Sequence, residues 1–239
     1  MQTSAGIKKD CLEVEGVFIP VDPAIITPAI LHAIKMGYFE AEEAAQIPHI
    51  VKPEDIVLDI GAGIGFISAL ISKQAKQVIS VEANPDLLPF METLHLLNGV
   101  ENAMRMNVVL GPQTEGSATF YQRTDFWMGS LSAGPNPYVA TVKVPHYDLN
   151  KLLKEMAVTL IVCDIEGAEA WLFDGADLTA VDRVYLELHD HITGLKGVAS
   201  VFAAMAKRGF AYDPRFSNGA IVLFRRVELK ETLRPYARL

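Results

Sequence analysis

The chain has 239 residues, of which 50% are hydrophobic, and 29 acidic against 21 basic side chains give a formal net charge of −8. That apolar content excludes a disordered chain and suits a single large fold. The acidic balance weighs against a nucleic-acid partner, whose phosphates call for clustered Lys and Arg. No apolar run approaches the roughly 18–20 residues of a membrane-spanning helix, and the opening MQTSAGIKKD lacks the apolar stretch of a secretory signal. Two cysteines, Cys11 and Cys163, are too few for a disulfide framework or a Cys-rich zinc site. A soluble, cytoplasmic protein with no membrane partner is expected.

In chain order, Leu12 to Pro20 reads as a short strand pair, and Pro23–Met36 and Glu40–Ile47 read as helical stretches. Residues 1–50 are therefore expected to cap one edge of a main domain spanning 51–239. IVLDI (56–60) is a short buried strand, FISALISKQ has helical spacing, and VISVE (78–82) is a second strand opening onto Asn84-Pro85. LLPFMETLHLLNG reads as a helix ending at Asn98-Gly99. The strand-like runs MRMNVVL (104–110), TLIVCDI (159–165) and DRVYLELH (182–189) follow, then a helix over 198–209 and a final apolar pair at about 210–213 and 220–226. Strands alternating with helices predict an α/β fold: a doubly wound, mostly parallel seven-stranded sheet whose last strand is antiparallel. The segment 117–145, with SATFYQ and YVATVKV around FWMGSLSAGPNP, is expected to be an inserted hairpin and loop next to the site, with Tyr121, Phe126, Trp127 and Tyr138 as its aromatic side chains.

The sharpest motif is Asp59-Ile60-Gly61-Ala62-Gly63-Ile64-Gly65 at the end of the first main strand and the start of a helix. Glycines there let the backbone turn tightly and approach a ligand. A dinucleotide fingerprint, G-x-G-x-x-G, would place its third glycine at 66, where this chain has Phe66, so a nicotinamide cofactor is disfavoured. Glu82, at the tip of the next strand, is placed to accept hydrogen bonds from both hydroxyls of a ribose. At the end of TLIVCDI, Asp164, Glu166 and Glu169 put three carboxylates on the ligand side of the sheet, where Asp164 and Glu166 are candidate catalytic groups and Glu169 is equally placed to cap a helix. His189, two residues after Glu187, is a candidate base oriented by that acid.

The loop and its acid resemble those of class I S-adenosylmethionine-dependent methyltransferases. That resemblance implies S-adenosyl-L-methionine as cofactor, with Asp59, Gly61, Gly63 and Gly65 at its methionine end, Glu82 on its ribose aided by Asn84, and Asn107 and Val108 by the adenine. IVCDIEGAEAWLFDGA (161–176), VKVPHYDLNKLL (142–153) and VYLELH (184–189) are similar to stretches of FkbM-type methyltransferases. The implied activity is O-methylation of a hydroxyl on a small-molecule acceptor such as a sugar or secondary metabolite. A metal site is not expected, because no Asp-Asn pair with the required arrangement is present. The alternatives are an RNA or protein methyltransferase, against which the absence of an N/D-P-P-Y/F motif weighs for amino methylation, and a non-catalytic cofactor-binding protein. The sequence sets no oligomeric state.

Overall fold

The computed structural model describes residues 11–112 and 115–228, so the opening segment read for targeting, and both ends of the expected 1–50 and 51–239 division, lie outside the described residues. The chain begins with a hairpin of β1 (Cys11–Val14) and β2 (Val17–Pro20), then α1 (Pro28–Met36) and α2 (Ala41–Ile50). Thr27 caps α1 by accepting the Ile30 N–H, Pro28 fills its first turn, and Gly37 ends it in the left-handed region. Asn98 ties the hairpin to the body of the protein: its side chain accepts the Phe18 N–H and donates to the Phe18 carbonyl, each at 2.8 Å.

The main sheet contains β3 (Ile56–Ile60), β4 (Gln77–Val81), β5 (Ala103–Met106), β9 (Leu160–Cys163), β10 (Arg183–Glu187), β11 (Phe210–Tyr212) and β12 (Ile221–Arg226). Its spatial order is β11-β12-β10-β9-β3-β4-β5, with β12 antiparallel to both neighbours and the other pairings parallel. Helices α3 (Phe66–Ser72), α4 (Leu88–Leu97), α5 (Leu149–Met156), α6 (Glu169–Leu172) and α7 (Asp190–Lys207) connect the strands. Side chains alternate across the strands as the pleat requires. Val57, Val78, Leu160 and Tyr185 enter one core with α1 to α4, while Leu58, Ile79, Ile161 and Val184 enter a second with α5 to α7. Burial on both faces explains the near-continuous apolar runs that mark these strands in the sequence. No helix among the described residues is long and apolar enough to cross a membrane.

Three local readings differ from the structure. MRMNVVL is not one strand: it breaks at Asn107-Val108, and β6 (Val109–Gly111) leaves the main sheet to pair with β8 (Ala140–Asp148), which also pairs with β7 (Ser117–Gln122). The third main strand therefore ends early, and a small sheet starts over the end of the large one. Helix α7 begins at Asp190 rather than at 198, with Gly194 at φ 64° and ψ 179° interrupting its first turns. The strand before it stops at Glu187, so His189 caps the helix instead of closing the strand.

A buried ion pair locks the far end of the sheet. Arg183 donates to Asp55 Oδ1 at 2.6 Å and to the Ile50 carbonyl at 2.7 Å, with side chains 5% and 1% exposed. Asp55 also accepts from Thr159 and from the Lys52 N–H, so α2, β3, β9 and β10 meet on one carboxylate. Removing one partner leaves the other charge without compensation in a dry site. Arg183→Met is expected to lower unfolding free energy by about 3–5 kcal/mol in urea denaturation, whereas the exposed pair Lys151–Glu155, 3.9 Å apart, should yield about 0.5 kcal/mol or less on Lys151→Ala.

Candidate active site

The carboxyl ends of β3, β4 and β9 open onto a cleft of about 770 Å³ bordered by Gly61, Gly63, Glu82, Val108, Asp164 and Glu166, with Phe126 and Trp127 forming its outer wall. An adjoining space of about 480 Å³ reaches Asp59, Glu43 and Glu187. The glycine loop joins β3 to α3. Gly61 has φ +85°, and a Cβ there would lie 1.7 Å from the Asp164 carbonyl oxygen, so the loop can pass the end of β9 only without a side chain. Gly63 lies under Phe126, whose ring would be 3.4 Å from an added Cβ. Gly65 serves packing instead: it is the residue before α3, at φ +84°, and a Cβ there would strike Met91 and His95 of α4.

Glu82 lines the cleft beside the glycine loop. One carboxylate oxygen accepts the Gly63 N–H at 2.8 Å and the other accepts the Asn84 N–H at 2.6 Å, which fixes the carboxylate on the cleft wall. Burial pushes its pKa up to about 7 despite these two bonds. Asp59 lies deeper and accepts from Ser68 at 2.5 Å, with Ser68 in contact with Ser80 behind it. Burial likewise raises Asp59 to about 7.

Two sequence assignments need revision. Asn107 does not line the cleft: its side-chain amide donates to the carbonyls of Glu82 and Ala83 at 2.8 and 3.0 Å, holding the chain just after β4, while Val108 is the cleft residue. Asn84 presents its backbone N–H to Glu82, and its side-chain oxygen is taken by the Asp86 N–H and by Gln122. Of the loop aromatics, Trp127 stacks on Phe39 with centroids 6.2 Å apart and fastens the 117–145 segment to the cap, and Tyr121 and Tyr138 pack edge to face. Arg123 holds the loop from inside by donating to the carbonyls of Tyr121, Met128, Ser132 and Asn136.

Asp164, Glu166 and His189 do converge. His189 Nε2 is 3.3 Å from Asp164 Oδ1 and 3.9 Å from Glu166 Oε1, while its Nδ1 is 3.2 Å from Glu169. The acid that orients the histidine is therefore Glu169, from α6, and not Glu187. Glu169 also accepts the N–H groups of His189 and Gly167, and although burial opposes its charge, His189 brings its pKa below the ordinary value. Burial would lower the His189 pKa, but Asp164 and Glu169 outweigh it and push the pKa up to about 11, so the imidazole is a cation at neutral pH rather than a waiting base. Glu40, at φ 50° just before α2, borders both spaces and escaped sequence reasoning, since no local pattern links the cap to the cleft. Desolvation raises its pKa well above the ordinary value, with Asp164 and Glu43 adding repulsion.

Residues 31–116, which contain the glycine loop and Glu82, match the family model of the TRM5/TYW2 methyltransferase domain. That segment is a minority of the chain, and no curated protein matches significantly. Among solved structures, Trm5b from Pyrococcus abyssi is similar at 14% identity and a TM-score of 0.51, over 92% of this chain and 56% of that one. The chain thus spans a little over half the length of Trm5b. TYW2 from M. jannaschii, solved with AdoMet, aligns over 91% of this chain and 86% of that one at 14% identity and a TM-score of 0.49. A ribosomal protein L11 methylase from Lactobacillus delbrueckii subsp. bulgaricus aligns at 15% identity over 78% of each chain, TM-score 0.48. The sheet order and the first of these likenesses make the fold the Rossmann-like one of class I methyltransferases. The family match falls on the residues that build the cradle, and the cradle fits: two cleft-lining glycines admit a ligand against the backbone, and a fixed carboxylate stands beside them to accept hydroxyl donors. The cofactor is S-adenosyl-L-methionine. The FkbM family is not what the matched model describes. The expectation of no nucleic-acid partner is also corrected by this match, because TRM5/TYW2 enzymes are tRNA methyltransferases. Net charge sums the whole surface and does not describe the local face that meets a substrate.

Between its ordinary value of 4.5 and about 7, the unfolded chain has released the Glu82 proton while the folded protein retains it. This group's contribution to stability is therefore full below the ordinary value and lost as pH rises through about 7. Urea unfolding without cofactor should show Glu82→Gln losing less stability than wild type between about pH 5 and about pH 8, by up to about 1.4 kcal/mol per pH unit. Parallel curves for the two proteins would contradict the raised pKa.

Proposed function

We propose that the protein is an S-adenosylmethionine-dependent methyltransferase whose acceptor is RNA. The observation that carries the first part is the cradle itself: Gly61 and Gly63 open the backbone to a ligand, and Glu82 faces the same cleft with its carboxylate held by two N–H donors. The RNA acceptor is supported by the TRM5/TYW2 domain match over residues 31–116. The stretches similar to FkbM-type enzymes, from 142 to 189, lie outside that match, so the two resemblances rest on different parts of the chain.

When bound, S-adenosylmethionine supplies an electrophilic methyl group on a sulfonium sulfur, which departs as the neutral thioether. The protein's task is to align the acceptor with that methyl, keep water out and receive the acceptor's proton. Glu82 and the glycine loop hold one side of the cleft, and Asp164 and Glu166 stand on the other. Their carboxyl oxygens favour a sulfonium nearby, and they are the groups that face an incoming acceptor. Phe126 and Trp127 close the outer wall and limit access of water.

Incubation with S-adenosylmethionine labelled in its methyl group and with unmodified tRNA transcripts should place label in the nucleic acid. Glu166→Gln should retain cofactor affinity while turnover falls about a hundredfold. Label appearing only in a small-molecule extract, with none in RNA, would overturn the acceptor assignment. Equal turnover in Glu166→Gln would remove the role given to that side of the cleft.

A further inference from the structure

Glu169 acts only as an acceptor: one oxygen takes the His189 N–H at 3.0 Å and faces Nδ1 at 3.2 Å, and the other takes the Gly167 N–H at 2.9 Å. A carboxylate so engaged requires the imidazole to carry its hydrogen on Nδ1, which turns Nε2 toward the cleft. There Nε2 meets Asp164 Oδ1 at 3.3 Å and Glu166 Oε1 at 3.9 Å. Asp164 Oδ1 is shielded from solvent yet accepts no aligned hydrogen bond. An imidazole nitrogen and two carboxylate oxygens converge on one point, where a divalent cation would replace the Nε2 proton and meet all three.

The three donor atoms lie within 4.8 Å of one another. Metal–ligand bonds of about 2.0–2.2 Å place neighbouring donors roughly 3–3.6 Å apart, so small side-chain rotations bring all three onto a single ion. The Glu169–His189 contact is the outer-shell arrangement that fixes a ligating imidazole, its far ring nitrogen tied to a carboxylate. His189 is 3% exposed and rigidly placed, while Asp164 and Glu166, at 34% and 18%, face the cleft.

We propose that Asp164, Glu166 and His189 bind one divalent first-row transition-metal cation, with Glu169 orienting the imidazole. One nitrogen and two oxygen donors suit Mn²⁺, Fe²⁺ or Zn²⁺ better than the all-oxygen shells of Ca²⁺. Three protein ligands leave positions open toward the cleft, where water or a ligand's oxygen or nitrogen would complete the shell. The sequence gives little sign of such a site, because its ligands come from the end of β9, the turn after it and the residue capping α7, with no fixed spacing between them. The proposal does not rest on the methyl-transfer reading, since it concerns binding of the ion alone.

The test is titration of the chelator-treated full chain with Mn²⁺, reading free ion by electron paramagnetic resonance, with Zn²⁺ as competitor. One equivalent should bind the wild-type protein and be displaced by Zn²⁺. Asp164→Asn and His189→Gln should abolish binding, and Glu169→Gln should weaken it about 10–100-fold, with circular dichroism confirming that each variant is folded. Should a buried variant fail to fold, Glu166→Gln, on the cleft side, should weaken binding at least tenfold. A folded wild-type protein that leaves all Mn²⁺ free and retains no Zn²⁺ would overturn the proposal, as would ion binding unchanged by these substitutions. Ion binding without affinity for S-adenosylmethionine would uphold this site and count against the cofactor assignment, so the two failures are distinguishable.

Discussion

The site depends on one close approach. The loop after β3 must pass the end of β9 so tightly that no side chain fits at Gly61, where a Cβ would lie 1.7 Å from the Asp164 carbonyl. The same passage sets Gly63 within reach of Glu82 and aims Asp164 and the turn after it across the cleft. The Glu82 side and the Asp164 side of the cleft are therefore two faces of one backbone contact, held by parallel pairing of β3 with both β4 and β9. The Arg183–Asp55 pair secures the opposite end of the same strands.

The second constraint is electrostatic. Asp59, Glu82, Glu166 and Glu187 gather at one end of the sheet, and burial raises them to about 7, 7, 7 and 8. Such crowding costs stability in the empty protein and favours ligands that bring positive charge or hydroxyl donors. His189 is the cation among these groups, and Glu169 holds it there. A sulfonium at the cradle, or a divalent ion taking the place of the His189 Nε2 proton, would meet the same charge.

Much of this was legible in the sequence because it is local. The glycine spacing, the acid at the next strand tip and the two-faced apolar strands each follow from a few adjacent residues, and the structure places Gly61, Gly63 and Glu82 together at the cleft. What escaped reading depends on where elements stop or cross. Period-two alternation puts Glu187 and His189 on one side of a strand, but β10 ends at Glu187, and His189, at φ −99° and ψ 66°, has left the strand, so a different acid meets its ring. Asn107 looked like a ligand residue because it follows the third main strand, yet the departure of β6 into a second sheet turns its amide back onto the backbone. Glu40 reaches the cleft from a cap that no motif connects to the glycine loop.

The measurement that bears most directly on the whole account is calorimetric titration of the purified protein with S-adenosylmethionine and, separately, with NAD. The account predicts micromolar-range affinity for the first and none for the second, as expected of a loop whose third glycine stands at 65 and whose acidic partner, Glu82, lines the same cleft. Absence of S-adenosylmethionine binding by the folded protein, or preference for NAD, would contradict it.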